Sequence, residues 1–171
     1  MKRRGFLALL LPGLSGCGYH VSGHADLLPK TVKTIAVPAF GNNSTRYRLA
    51  DRLAHSVTRE FLSRTRYQVV ADPREADAVL RGSVMNVMSF PTTFDTATGR
   101  AAGVQMIVFL QINLQERNSG KMLYTNPKME VRERYENSID PVAYFEESDA
   151  AINGLSGQVA RSVVSAILEA F

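Results

Sequence analysis

Few residues in this chain are equipped for covalent chemistry. Cys17 is the only cysteine, so neither an intramolecular disulfide nor a Cys-based zinc cluster can form. It follows Leu14-Ser15-Gly16. Small neighbours leave the backbone open to an approaching enzyme, and a thiolate is a strong nucleophile toward a transferable group. His20 and His24 stand four apart behind it. That spacing holds metals on helices, but Gly23 between them argues against a helix, so no metal ligands are expected. His55 falls within a helical pattern and reads as a surface or partly packed residue. No Gly-x-Ser-x-Gly elbow, Walker loop or Gly-x-Gly-x-x-Gly fingerprint occurs. Glu146-Glu147 stands at a predicted helix start, where carboxylates favour the helix dipole and need no catalytic role. No catalytic residue is expected, and the chain reads as a non-enzyme.

The start of the chain is an address. Lys2, Arg3 and Arg4 form a cationic head, Phe6 to Leu11 an apolar run too short to span a bilayer, and Pro12-Gly13 a break. This is the layout of a secretory signal peptide. Leu14-Ser15-Gly16-Cys17 resembles the lipobox of bacterial lipoproteins. That resemblance implies removal of residues 1–16, acylation of Cys17 by lipid (palmitate among its chains) and a mature N-terminus at Cys17. Gly18 stands where an aspartate would retain such a protein in the inner membrane. Its presence implies the outer membrane, with the domain on the periplasmic face, lipid-anchored. Two or more acyl chains anchor stably, whereas one is marginal.

Composition bounds the rest. A chain of 171 residues, 45% hydrophobic and 21% charged, fits one folded domain and excludes a disordered or collagen-like chain. A formal net charge of +4 hints at nucleic acid. Removing residues 1–16 leaves seventeen Lys+Arg against sixteen Asp+Glu, so the basic balance belongs to the export signal. No nucleic-acid partner is expected.

Hydrophobic periodicity then supplies the elements. Residues 17–30 read as a lipidated tether and 31–171 as one α/β domain. Thr31 to Phe40 reads as a strand, and Gly41-Asn42-Asn43-Ser44 as a turn. Leu49, Leu53, Val57 and Phe61 recur every four residues, predicting a helix over 46–63. Tyr67–Val70 is a short strand, either separate or merged with the next. Ala78–Phe90 is a longer strand in which Gly82 suggests a bulge. Val104 to Gln115 alternates most clearly, predicting one buried and one mostly wet face. Asn118-Ser119-Gly120 turns the chain into Met122–Glu136, with Pro127 in a bulge or at an edge. Asp140-Pro141 reads as an N-cap with Pro at N1. Ile152, Leu155, Val159, Val163 and Ile167 mark a C-terminal helix, in which Gly154 and Gly157 suggest close approach to the sheet. The order β-α-β-β-β-β-α predicts an α+β fold. It is a two-layer α/β sandwich, a mixed four- to five-stranded sheet with two helices on one face.

Two features suit a partner. The helix and its flanks gather Arg46, Arg48, Arg52, Arg59, Arg64 and Arg66 against Asp51 and Glu60. Among these, Arg48, Arg52 and Arg59 are candidate partner-binding residues. Acidic residues gather later, from Glu130 to Asp149, relieved chiefly by Arg132 and Arg134. Pro91 to Gly103 reads as a polar loop projecting from two long strands, carrying Phe90, Phe94 and Arg100. Aromatic side chains with an arginine suit acyl chains and a phosphate. Arg100 and Phe94 are therefore candidate ligand contacts, and Phe90 a candidate partner contact.

Several segments carry a family resemblance. They are Cys17-Gly18-Tyr19-His20, Leu28-Pro29 with Thr34-Ile35-Ala36-Val37-Pro38, the amphipathic helix, Ala76-Asp77-Ala78-Val79-Leu80-Arg81-Gly82, and Val104-Gln105-Met106. In this order they resemble LptE, the lipopolysaccharide-assembly lipoprotein family, over nearly the whole chain. The resemblance implies a plug inside the outer-membrane β-barrel protein LptD, the pair forming the translocon that inserts lipopolysaccharide into the outer leaflet. It implies no cofactor beyond the covalent lipid on Cys17. It also implies lipopolysaccharide contacts by basic residues near the loop between the long strands, a role open to Arg100, and before the last helix. For the second role no Lys or Arg occurs between Arg134 and Arg161. The segment from Ile35 to Val70 is also similar to the opening of CsgG- and LpoB-like domains. Those belong to accessory outer-membrane lipoproteins that build secretion pores or activate peptidoglycan synthases. They typically continue with further α/β units, whereas here a long hairpin and one terminal helix follow.

Overall fold

The structure, a computed structural model, describes residues 28–136 and 141–171. The expectations for Cys17, His20, His24 and the Asp140 cap lie outside the described residues.

The chain opens with the short strands β1 (Thr34–Ala36) and β2 (Gly41–Asn42), then α1 (Tyr47–Arg64) and β3 (Gln68–Val70). Three long strands follow, β4 (Ala78–Phe94), β5 (Ala101–Glu116) and β6 (Met122–Glu136), and then α2 (Pro141–Leu168). The sheet runs β3-β1-β4-β5-β6, with β2 paired to β4. β1 is parallel to β3 and β4, and β4-β5-β6 is an antiparallel meander, so the sheet is mixed. The 67–70 segment is therefore a separate edge strand.

One buried cluster joins both helices to one sheet face. Leu49, Leu53, Val57 and Phe61 of α1 meet Leu155, Val159, Val163 and Ile167 of α2 over Met106, Val108, Leu110, Ile112 and Leu114 of β5. The α1 boundaries follow local chemistry. Asn42 Oδ1 accepts the Ser44 amide and hydroxyl, and Ser44 Oγ accepts the Arg46 N–H, shaping the entry. At the exit, the Thr65 N–H and hydroxyl both donate to Phe61 O, which closes the last turn.

The helices run side by side in the same direction. Arg52 Nη1 donates to Asn153 Oδ1 at 2.6 Å, Ser56 Oγ lies 3.2 Å from Ser156 Oγ, and Arg64 Nη1 donates to Ser165 Oγ at 2.8 Å. The near-constant offset between partners requires parallel axes. Ser56 and Ser156 are buried, and Ser156 also donates to Asn153 O.

Four local expectations change. β1 is far shorter than 31–40: Val32 is buried in a turn closed by its N–H on Pro29 O, and Phe40 is buried beyond the strand end. Apolar residues thus enter the core without strand pairing. The Gly41–Asn42 turn residues also pair, parallel to Ser83–Val84. Gly82 is no bulge: its ladder is regular and Phe40 packs on it, whereas the register shift falls between Val84 and Asn86. Gly154 and Gly157 do not bring α2 to the sheet. A β carbon at Gly154 would meet nothing within 4 Å, and at Gly157 only Arg161 Nη1 at 3.6 Å. A further shift between Leu110 and Ile112 places Pro127 in a bulge of edge strand β6.

Candidate functional site

The second face of the sheet carries a small buried cluster of Ala36, Ala76 and Val79 at one end, and the helices leave it open along the outer meander. β4 holds 17 residues, about 55 Å at ~3.3 Å each, whereas the 18 residues of α1 span about 27 Å. The outer meander therefore projects past α1. Beyond Val84, β4 pairs with β5 alone among the described residues.

Directly opposed residues share a sheet face. On the open face the ladders align Asn86–Phe109–Glu130, Met88–Ile107–Arg132 and Phe90–Gln105–Arg134. Apolar side chains stand on β4 and β5, and charged ones on β6. Met88 and Phe90 are 39% and 44% exposed, far more than core residues of their type. Arg132 pairs with Glu130 through Nε, which leaves Arg134 without a hydrogen bond or ion pair to a described residue. Arg134 extends toward the hairpin tip, with Nη2 3.5 Å from where a Gly103 β carbon would stand. This is an amphipathic surface: apolar contact beside guanidinium donors with planar forks suited to phosphate or carboxylate.

The tip itself is ordered by local hydrogen bonds. The expected 91–103 loop contracts to Asp95–Arg100, because pairing continues to Phe94 and resumes at Ala101. Thr92 and Thr93 are exposed, so their polar side chains suit a strand as well as a loop. Asp95 Oδ1 accepts the Ala97 and Thr98 amides and the Thr98 hydroxyl. These bonds, the Thr98 hydroxyl first, hold the Asp95 carboxyl below the usual range. Gly99 takes φ +68°, where its N–H reaches Asp95 O at 2.8 Å. Phe94, 61% exposed, and exposed Arg100 flank this turn, with Phe94 opposite Ala101 in the ladder.

The structure thus brings Phe90, Phe94 and Arg100 to one end of the sheet and keeps the α1 arginines apart on the helix layer. Arg48 and Arg59 are exposed, while Arg52 is half-buried and bonded to Asn153. His55 is exposed on α1. Arg132 and Arg134 escaped sequence reasoning because they stood in an acidic stretch. The signal was present: Lys128, Glu130, Arg132 and Arg134 recur at every second position, with Met129, Val131 and Tyr135 between them and Glu133 the one charged interruption, close to the period of a strand with one charged face. Among the described residues no cluster of His, Cys, Asp and Glu is arranged to hold a metal, and no helix is long and apolar enough to cross a membrane.

Comparisons with known proteins fit this architecture. A family model described as lipopolysaccharide-assembly, LptE, matches residues 32–167. No curated protein matches the chain. Among solved structures, protein XCC0632 from Xanthomonas campestris aligns with a TM-score of 0.55 at 14% identity, over 86% of this chain and 90% of its own. A candidate lipoprotein from Caulobacter crescentus aligns with a TM-score of 0.51 at 12% identity, over 80% and 88%. At such identities these likenesses show the fold alone. Rare lipoprotein B from Shewanella oneidensis aligns at 18% identity and a TM-score of 0.49, over 80% and 94%.

Proposed function

The chain belongs to the LptE family of lipopolysaccharide-assembly lipoproteins, and from that premise we propose that it works at the outer membrane, anchored through lipid on Cys17. In this reading the domain sits inside an LptD-type β-barrel, helps that barrel assemble, and completes the translocon that inserts lipopolysaccharide into the outer leaflet. It carries out no chemical step.

The observation that carries the reading is the graded open face. Met88, Phe90, Ile107 and Phe109 offer acyl chains an apolar surface, while Arg132 and Arg134 stand in the same cross-strand rows. Lipopolysaccharide has that same pairing of acyl chains with phosphates. Arg100 and Phe94 extend the surface to the tip. Arg134 takes the second basic role, which the sequence after Arg134 could not fill.

The test is affinity purification from detergent-solubilised envelopes. A large β-barrel protein should copurify, and depletion should reduce lipopolysaccharide in the outer leaflet. Capture of peptidoglycan synthases with no barrel would instead favour the CsgG/LpoB-like class. Intact outer-leaflet lipopolysaccharide after depletion would refute the proposed role.

A further inference from the structure

At the end of the sheet away from the hairpin tip lies a cavity of about 650 Å³. The segment entering β1 and the turns before β3 and β4 wall it, contributing Leu28, Lys30, Lys33, Arg66, Glu75 and Asp77. Its charges are of both signs. Among the described residues, Lys30, Lys33 and Glu75 form no ion pair. Asp77 receives the Lys33 N–H, the Thr34 N–H and the Thr34 hydroxyl all on Oδ2, each at 2.9 Å. Its Oδ1 accepts no hydrogen bond from a described residue. The Lys33 and Thr34 amides keep the carboxyl below its usual range, so it stays ionised at neutral pH.

The cavity therefore holds ammonium groups and carboxylate oxygens that line one space without meeting. A ligand with a phosphate and a primary ammonium a few bonds apart would satisfy both sets. Position narrows the source. Leu28 forms part of the wall, and its N–H is fixed to Tyr67 Oη at 2.9 Å. Cys17 lies eleven residues earlier, a reach of at most about 40 Å for any chain conformation.

We propose that this cavity holds the phosphoethanolamine headgroup of a membrane phospholipid, the phosphate against Lys30 and Lys33 and the ammonium against Asp77 Oδ1 and Glu75. The inference rests on the proposed anchor at Cys17, which keeps the cavity near a lipid surface. Headgroup capture then fixes how the domain stands on the membrane.

The full chain, purified in detergent, is titrated with short-chain phosphatidylethanolamine, phosphatidylcholine and phosphatidylglycerol. Saturable binding of the ethanolamine lipid is expected, about tenfold tighter than the others. Choline has no N–H to donate and glycerol carries no cation. Lys33→Glu and Glu75→Lys, both at exposed positions, should each weaken binding about tenfold with an unchanged melting temperature. Equal binding of all three lipids, or wild-type binding by both variants, overturns the proposal. So does binding of free O-phosphoethanolamine without binding of the lipid. The mass of the Cys17 peptide reads the anchor separately. Acylated protein that does not bind removes the cavity site alone, and unacylated protein that binds supports the site while refuting the anchor.

Discussion

The ring of Phe40 lies directly on Gly82: a β carbon at 82 would stand 2.1 Å from Phe40 Cε1 and 2.4 Å from Cδ1. Gly82 sits in a regular ladder opposite Ile112 and is thus the floor of a slot for an aromatic ring. Phe40 is 6% exposed and belongs to the main core, so the slot joins the segment after β1 to the meander.

Gly82→Ala should overpack this slot and cost about 1–3 kcal/mol. Phe40→Leu in the same chain should recover part of the loss, since a smaller side chain clears the new methyl group. Urea denaturation of the two single variants and the double variant measures the coupling. Additive losses would show that the two residues do not share one space.

Ser56 and Ser156 form a buried hydroxyl pair between the parallel helices. Ser156→Ala leaves the Ser56 hydroxyl without that acceptor and should cost about 1–3 kcal/mol. Replacing both serines by alanine should cost less than the single change, because no buried polar group is stranded. Chemical denaturation distinguishes the two outcomes.

Gly154→Ala should stabilise α2. The glycine is in the helix and exposed, and an added methyl would meet nothing within 4 Å. Alanine exceeds glycine by about 1 kcal/mol in a helix interior. A rise in melting temperature of a few degrees is expected.

Acid should loosen the entry to β1. Asp77 is held below its usual pKa by the Lys33 and Thr34 amides, and Glu116 by the Ser119 hydroxyl and then the Thr31 hydroxyl. A carboxyl with a depressed folded-state pKa contributes stability above its unfolded value, about 3.9 for Asp, and loses it as pH falls through the folded value. Asp77→Asn should therefore be less stable at pH 7 and lose less between pH ~4 and lower values. Melting temperatures followed against pH compare the two slopes.

Charge reversal on the open face should separate binding from folding. Arg134→Glu and Arg100→Glu each change an exposed side chain, so melting temperatures should move little. Loss of one charge-assisted hydrogen bond should weaken lipopolysaccharide binding about tenfold or more. Unchanged binding by Arg100→Glu would remove the tip from the site, and unchanged binding by Arg134→Glu would remove the β6 rows.

The two helices and three long strands were legible because their periods are local. The α1 stripe predicts 46–63 and the helix runs Tyr47–Arg64. Short β1 and the hairpin tip were less legible. Val32 and Phe40 are apolar because they fill the core beside a strand, and Thr92 and Thr93 are polar because their stretch of β4 is exposed although it pairs. Composition reports burial, and in both places burial and pairing diverge.

The sequence by itself determined the α+β class, the single buried face of β5, the layout of an export signal and the family. These depend on spacing along the chain, which alternation and helical period preserve. Only the tertiary structure decided that the helices run parallel and share buried serines, that Phe40 rides on Gly82, and that Arg132 and Arg134 stand in rows with Met88 and Phe90. Such relationships depend on register. A slip of one residue turns every side chain of a strand to the other face, and pairing, bulges and packing hold the register that is observed.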